Sequence, residues 1–259
     1  MNTSKKVNSQ LSNFYSGLSG LVVPVPKYLF PEPHQNSSRL VYYATFFNSI
    51  EINSTFYRLP MPKTIVKWSS ELPEGFKFTY KLWKEITHVP NLDFKESDVE
   101  SFFNVISNTG NKKGCVLIQF PPSIGKTNMV RLDALLKCIA RCDLKREWKI
   151  AVEFRNKTWY QSEVYDLLEF HKAALVVQDI PKSVIPGITH ASDFMYIRFH
   201  GPTGSYRGSY SEQFLSEYAT YINEWLQEGK TVFVYFNNTM GDAFKNLETL
   251  NNFIYSIGN

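Results

Sequence analysis

Short apolar runs rich in Val, Ile, Phe and Tyr recur along the chain and alternate with longer segments of helical period. The runs predict strands over 13–19, 49–54, 77–82, 115–120, 149–154, 173–179, 194–200 and 231–237. The segments between them predict helices near 38–48, 63–72, 96–109, 128–142, 162–172, 211–228 and 242–257. The sixth connection, around 181–192, carries two prolines and a glycine and reads as irregular. Pro60 and Pro62 precede the helix at 63, and Gly229 follows the helix that ends near 228. Ser211 and Asp242 stand where N-caps belong.

Strand followed by helix, repeated, implies parallel strands joined by right-handed crossovers. Eight such units in 259 residues predict an α/β fold, a single (β/α)8 TIM barrel with eight parallel strands. An open doubly wound sheet is the alternative, but no G-x-G-x-x-G follows the first strand. Residues 1–11 are expected to form a loose tail and 12–259 one domain.

Successive side chains on a strand face opposite ways, so each strand splits into two sets. Ile150, Val152 and Phe154 oppose Ala151, Glu153 and Arg155. Ile50 and Ile52 oppose Glu51 and Asn53, and Val116, Ile118 and Phe120 oppose Leu117 and Gln119. Phe78, Tyr80 and Leu82 oppose Thr79 and Lys81. Met195, Ile197 and Phe199 oppose Tyr196, Arg198 and His200. Val232, Val234 and Phe236 oppose Phe233, Tyr235 and Asn237. Asp179 ends the sixth strand and Ser19 the first. One set is wholly apolar, while the other turns polar only toward the C-terminal end. Buried charge without partners is costly, so this pattern specifies a polar cavity at that end, where barrel active sites lie. The competing reading is an internal salt-bridge network that plugs the barrel. Lys81, Arg155 and Arg198 balance Glu51, Glu153 and Asp179 in number, so self-pairing would satisfy them.

Several of these residues lie in segments with a family likeness. EINSTFYRLPMPKTIVKW (51–68), PEGFKFTYKLWKEITH (73–88), LIQFPPS (117–123), AVEFRNKTW (151–159), YIRFHG (196–201) and VYFNNT (234–239) resemble, in the same order, the YecE-like family, known as domain of unknown function 72. The resemblance runs from about residue 13 to the C-terminus. It implies a TIM barrel and implies no particular reaction. Gly17-Leu18-Ser19-Gly20-Leu21 departs from the family's opening by lacking an aromatic at Leu21.

Composition narrows the class without naming it. Hydrophobic residues are 43% and charged residues 20%, as in an ordinary globular chain. The net charge of +4 permits an anionic partner and does not demand one. The odd count of Cys115, Cys138 and Cys142, with no CxxC, fits a reducing compartment. With no apolar leader and no long apolar run, a cytoplasmic protein without membrane contact is expected.

His88 and His200, with Glu51, Glu153 and Asp179, offer metal-ligand chemistry. Three nearby cations would compete for the carboxylates, so neither a metal nor a cofactor is expected. Ile124-Gly125-Lys126-Thr127 imitates the end of a P-loop, but Phe120 stands where the motif needs its first glycine. No serine sits in a G-x-S-x-G elbow. Gly201, Gly204 and Gly208, following the seventh strand, suit either an anion-binding loop or a lid. Aromatics at Phe56, Tyr57, Trp83, Trp159, Tyr160, Tyr206 and Tyr210 interleave with Arg58, Lys84 and Arg207, as in a base-stacking rim or plain loop packing.

The first expectation is an enzyme acting on a small anionic, possibly phosphorylated, substrate. Glu153 or Glu51 would be the base, and His200 an acid or electrophile, beside Asp179. Asn53, Lys81, His88, Gln119, Arg155, Arg198, Gly201, Tyr235 and Asn237 would bind the substrate, with Arg198 the cation left free for it. The alternatives are a nucleic-acid-processing or nucleic-acid-binding protein and a non-catalytic ligand-binding module.

Overall fold

A computed structural model describes residues 12–183 and 192–257 of the chain. The predicted tail at 1–11, and most of the sixth connection, lie outside the described residues.

The described residues hold nine strands: β1 (Phe14–Leu18), β2 (Ser49–Ile52), β3 (Lys77–Lys81), β4 (Lys113–Phe120), β5 (Lys149–Phe154), β6 (Ala173–Leu175), β7 (Val177–Gln178), β8 (Phe194–Phe199) and β9 (Thr231–Phe236). Eight α-helices accompany them: α1 (Arg39–Tyr43), α2 (Pro62–Glu71), α3 (Lys84–Thr87), α4 (Glu96–Ile106), α5 (Met129–Cys142), α6 (Ser162–Phe170), α7 (Glu212–Gln227) and α8 (Ala243–Ile257). All pairing is parallel, in a sheet β1-β9-β8-β7 and a sheet β2-β3-β4-β5-β6.

The predicted sixth strand is two. Ala173–Leu175 pairs with β5, and the Val176 N–H still reaches Val152 O at 2.9 Å. From Val177 the chain pairs with β8 instead. One residue thus carries the backbone from one sheet to the other. The helix expected near 38–48 is regular only over Arg39–Tyr43, and α3 was not predicted, because four residues are too few to show a helical period.

The Ser211 cap and the Gly229 stop behave as the sequence implies. Ser211 Oγ accepts from Phe214 N–H at 3.2 Å. Gly229, at φ +80°, ends α7 in a Schellman turn: its N–H reaches Leu226 O, and the Lys230 N–H reaches Trp225 O. Pro62 is the first residue of α2, where its missing donor costs nothing.

The strand parity holds. Ile50, Phe78, Val116, Val152, Ile197 and Val234 belong to the large core packed against the helices. The opposite set forms a second core of Cys115, Leu117, Ala151, Ala174, Val176, Phe194, Tyr196, Phe233 and Tyr235. Both faces of the sheets are therefore buried, as parallel strands require.

Between β1 and β2 the ladder is replaced by side chains. Asn48 accepts from Ser16 N–H at 2.9 Å and donates to Phe14 O at 2.8 Å. Tyr43 Oη accepts from Leu18 N–H at 2.7 Å and donates to Ser49 O at 2.9 Å. A methyl group on Gly17 would collide with the Ser49 carbonyl, so the approach depends on glycine. Only one backbone bridge, Ser19 to Glu51, joins the two strands.

Gly17→Ala is expected to lose about 1–3 kcal/mol by overpacking this seam, read by denaturant unfolding. Gly75→Ala, where nothing lies within 4 Å of the new methyl, serves as the control and should change little.

Candidate functional site

The polar residues at the C-terminal strand ends meet around one buried guanidinium. Arg198 of β8 is 1% exposed. Its Nε and Nη2 grip Glu51 of β2, with Nη2 2.6 Å from Oε1 and Nε 2.9 Å from Oε2. Its Nη1 donates to Glu153 Oε2 of β5 at 2.9 Å. Tyr196 Oη adds a 2.5 Å bond to Glu51 Oε2. Arg155, just past β5, pairs with the other oxygen of Glu153. Burial alone would raise both carboxyl pKa values. The guanidinium charges outweigh it and hold Glu51 and Glu153 below the ordinary carboxylate range. Both carboxylates are therefore firmly ionised and occupied.

This corrects one expectation. Arg198 is not a cation left free for ligand, since Glu51 and Glu153 consume its donors. The count of three cations against three carboxylates also fails to become three pairs. Asp179, just past β7, pairs with no lysine or arginine among the described residues. Its Oδ1 accepts from His200 N–H at 2.8 Å and lies 3.1 Å from His200 Nδ1, and its Oδ2 accepts from Tyr210 Oη.

His200 is fully buried, and its Nε2 faces Arg155 Nη2 at 3.1 Å and Arg198 Nη1 at 3.3 Å. Donors on that side and a carboxylate on the other assign its proton to Nδ1. Burial and the two guanidiniums lower its pKa against the opposing pull of Asp179, so the ring is neutral.

The cation that lacks a carboxylate is Lys81, at the end of β3. Its Nζ donates to Gln119 Oε1 at 2.9 Å and lies 4.2 Å from the centre of the Phe56 ring. Among the described residues it forms no ion pair. Burial, and then Arg198, lower its pKa from 10.5 to about 8 despite Glu153 and Glu51. Gln119 is held in turn by the Phe120 carbonyl at 2.9 Å.

Other predicted residues lie at the edges of this cluster. Asn53 donates to Ser19 O at 3.3 Å. His88 is on the exposed rim, 2.9 Å from Thr87 Oγ1 and edge-on to Phe56. Its pKa falls to about 4 through partial burial and then the Lys81 and Arg155 charges. Tyr235 lies deeper, its hydroxyl held by Ser49 at 2.6 Å and Thr79 at 2.7 Å. Asn237 is half-buried at the end of β9, its N–H bonded to Phe199 O. Gly201 is corrected as a ligand donor, because its N–H is taken by Tyr210 Oη at 2.5 Å. Its φ of +95° and the collision a methyl would make with Arg207 O show that this glycine serves the fold of its own loop.

Several mouth residues escaped the strand reading. Tyr206, at φ +64°, hydrogen-bonds from its N–H to His200 O at 2.7 Å, and Tyr210 fixes Asp179. Asn238 donates to Gly208 O and Asn246 Oδ1. None of these three is on a strand, so no parity rule marks it. Among the described residues, six buried polar atoms at the strand ends have no hydrogen-bond partner: Ser19 Oγ, Asn53 Oδ1, Trp83 Nε1, Glu153 Oε1 (which has only its ion pair with Arg155), Arg155 Nε and Asn238 Oδ1. Among the described residues no group of three or more His, Cys, Asp or Glu is placed to hold a metal.

The model of the family described as protein of unknown function DUF72 matches residues 16–255. The chain belongs to the DUF72 family. The UPF0759 protein YunF of Bacillus subtilis is 29% identical, with 84% of this chain and 87% of that protein covered. A DUF72 family protein of Thermotoga maritima superposes with a TM-score of 0.78 at 28% identity, covering 93% of this chain and 99% of that one. A DUF72 family protein of Enterococcus faecalis superposes with a TM-score of 0.77 at 21% identity, over 93% and 95% of the two chains. No helix among the described residues is long and apolar enough to cross a membrane. These DUF72 names carry no activity.

Arg198→Ala leaves the buried Glu51 carboxylate with no cation in contact and Glu153 with Arg155 alone. It is expected to lose about 3–5 kcal/mol in denaturant unfolding with no ligand present. Lys81→Met is expected to act oppositely. The unfolded lysine holds its proton up to 10.5 and the folded one only to about 8, so wild-type stability should rise with pH between those values. The variant should be more stable by about 1–3 kcal/mol at neutral pH, with that rise abolished.

Proposed function

We propose that the two sheets close into one eight-stranded (β/α)8 barrel, and that its polar mouth is the active site of an enzyme for a small anionic substrate. Two junctions support the closure: the Ser19–Glu51 bridge with its Asn48 and Tyr43 bonds, and the single residue Val176 between β6 and β7. Counted as one strand, β6 and β7 bring the total to eight.

One observation carries the anion reading. Glu51 and Glu153 are taken by Arg198 and Arg155, so among the described residues Lys81 is left with no carboxylate in contact. Asp179 brings the count to three against three, but its oxygens turn to the neutral His200 ring and to Tyr210 and not to Lys81. A partly desolvated cation with no carboxylate in contact is costly and is relieved by a bound anion. The partnerless donors Trp83 Nε1 and Arg155 Nε suit the same occupant. Asp179 and His200 would act as a positioned pair beside it. Glu51 and Glu153 would hold Arg198 rather than take protons.

A nucleic-acid substrate is the second reading, favoured by exposed Tyr57, Arg58, Lys84 and Arg207 on the rim. A phosphodiester there would bind with a steep salt dependence.

Thermal-shift and calorimetric titration against small carboxylates, phosphorylated metabolites and short oligonucleotides tests the proposal. A small anion should stabilise the wild type, and Lys81→Met should weaken its binding about 10- to 150-fold while leaving the apo protein folded. Undiminished binding by Lys81→Met, or a response to oligonucleotides alone, would overturn the small-anion reading.

A further inference from the structure

Among the described residues, every charged group at the strand ends of the mouth except one is spent on an opposite charge or a fixed donor. Arg198 is shared by Glu51 and Glu153, Arg155 holds Glu153, and Asp179 holds His200 and Tyr210. Lys81 is the exception. Its described neighbours are a neutral amide and an aromatic face. The segments 1–11 and 184–191, outside the described residues, contain no Asp or Glu.

Amines become nucleophiles when desolvation and neighbouring cations disfavour the ammonium form. Lys81 meets both conditions. It is half-buried at a strand end beside the two guanidiniums, and its lowered pKa follows from that placement. Other nucleophiles are badly placed. Cys115 is sealed in the inner core with its pKa pushed up by burial, and Cys138 and Cys142 lie on α5.

We infer that Lys81 forms an imine with a small carbonyl-bearing anion, a 2-oxo acid being the substrate class that the mouth fits. This rests on the anion reading above and adds the covalent step. The carboxylate would supply the counter-charge that Lys81 lacks in contact and engage the free Arg155 Nε or Trp83 Nε1 donors. The adjacent carbonyl carbon would then meet Nζ. The amine lone pair forms the C–N bond as the C=O π pair moves to oxygen, which takes a proton. The carbinolamine takes a second proton on that oxygen and loses water. Nitrogen keeps one proton in the resulting iminium, so one amine, one carbonyl and one proton give one iminium and one water. The iminium withdraws electrons from the bond next to the former carbonyl, which is what an enzyme gains from the step.

The test uses the full chain, glyoxylate and sodium cyanoborohydride near neutral pH, followed by intact mass and peptide mapping. Hydride from the cyanoborohydride would reduce the iminium to a stable carboxymethyl-lysine. Lys81 should be modified before exposed Lys157 and Lys172, although it is less accessible. Lactate, which has the carboxylate but no carbonyl, should slow the labelling of Lys81 and not of the exposed lysines. Lys81→Arg should keep the melting behaviour of a folded protein and lose the early adduct. If Lys81 reacts no faster than Lys157 and Lys172 while calorimetry detects lactate and pyruvate binding, the imine is wrong and the anion reading survives. If neither early labelling nor binding of either acid occurs, both fail.

Discussion

The buried guanidinium of Arg198 is the constraint around which the mouth is arranged. It comes from β8 in one sheet and binds Glu51 of β2 and Glu153 of β5 in the other. A single side chain thus joins three strands that are far apart in sequence. Such a centre is expensive to desolvate and tolerable only when nearly every donor and acceptor is used. Here the Arg198 donors are engaged, and Tyr196 fills a remaining site on Glu51.

Consequences spread from that arrangement. Two carboxylates around one guanidinium leave a negative charge, which Arg155 offsets through Glu153. Arg155 and Arg198 then present donors to His200 Nε2, and Asp179 takes the other side of the ring. The imidazole is fixed in one tautomer between cations and a carboxylate. Lys81 is the remainder: a half-buried cation with an amide and an aromatic ring for company.

Much of this was legible from residue order. The two-residue period separated Val116, Val152 and Val234 from Leu117, Glu153 and Tyr235, and the two sets became two distinct cores. It also placed Glu51, Lys81, Gln119, Glu153, Arg155 and Arg198 at one end. Pairing within that end was not legible. Arg198 reads as the free cation because it stands beside a glycine loop, yet β2 and β5 bring carboxylates to it. Lys81 reads as one cation among three, and only geometry shows it without a carboxylate. Tyr206, Tyr210 and Asn238 are off the strands, so their positions follow from loop folding.

What the sequence by itself determined was period and direction: which residues share a strand face, and that charge collects at the C-terminal ends. Those follow from backbone geometry, which acts over a few residues. Tertiary structure decided partnership. The transfer at Val176 from β5 to β8, the Asn48 and Tyr43 bonds across the Gly17 contact, and the sharing of Arg198 all join residues distant along the chain. A charge's partner is set by distance and burial in three dimensions, and neither is a property of spacing in the chain.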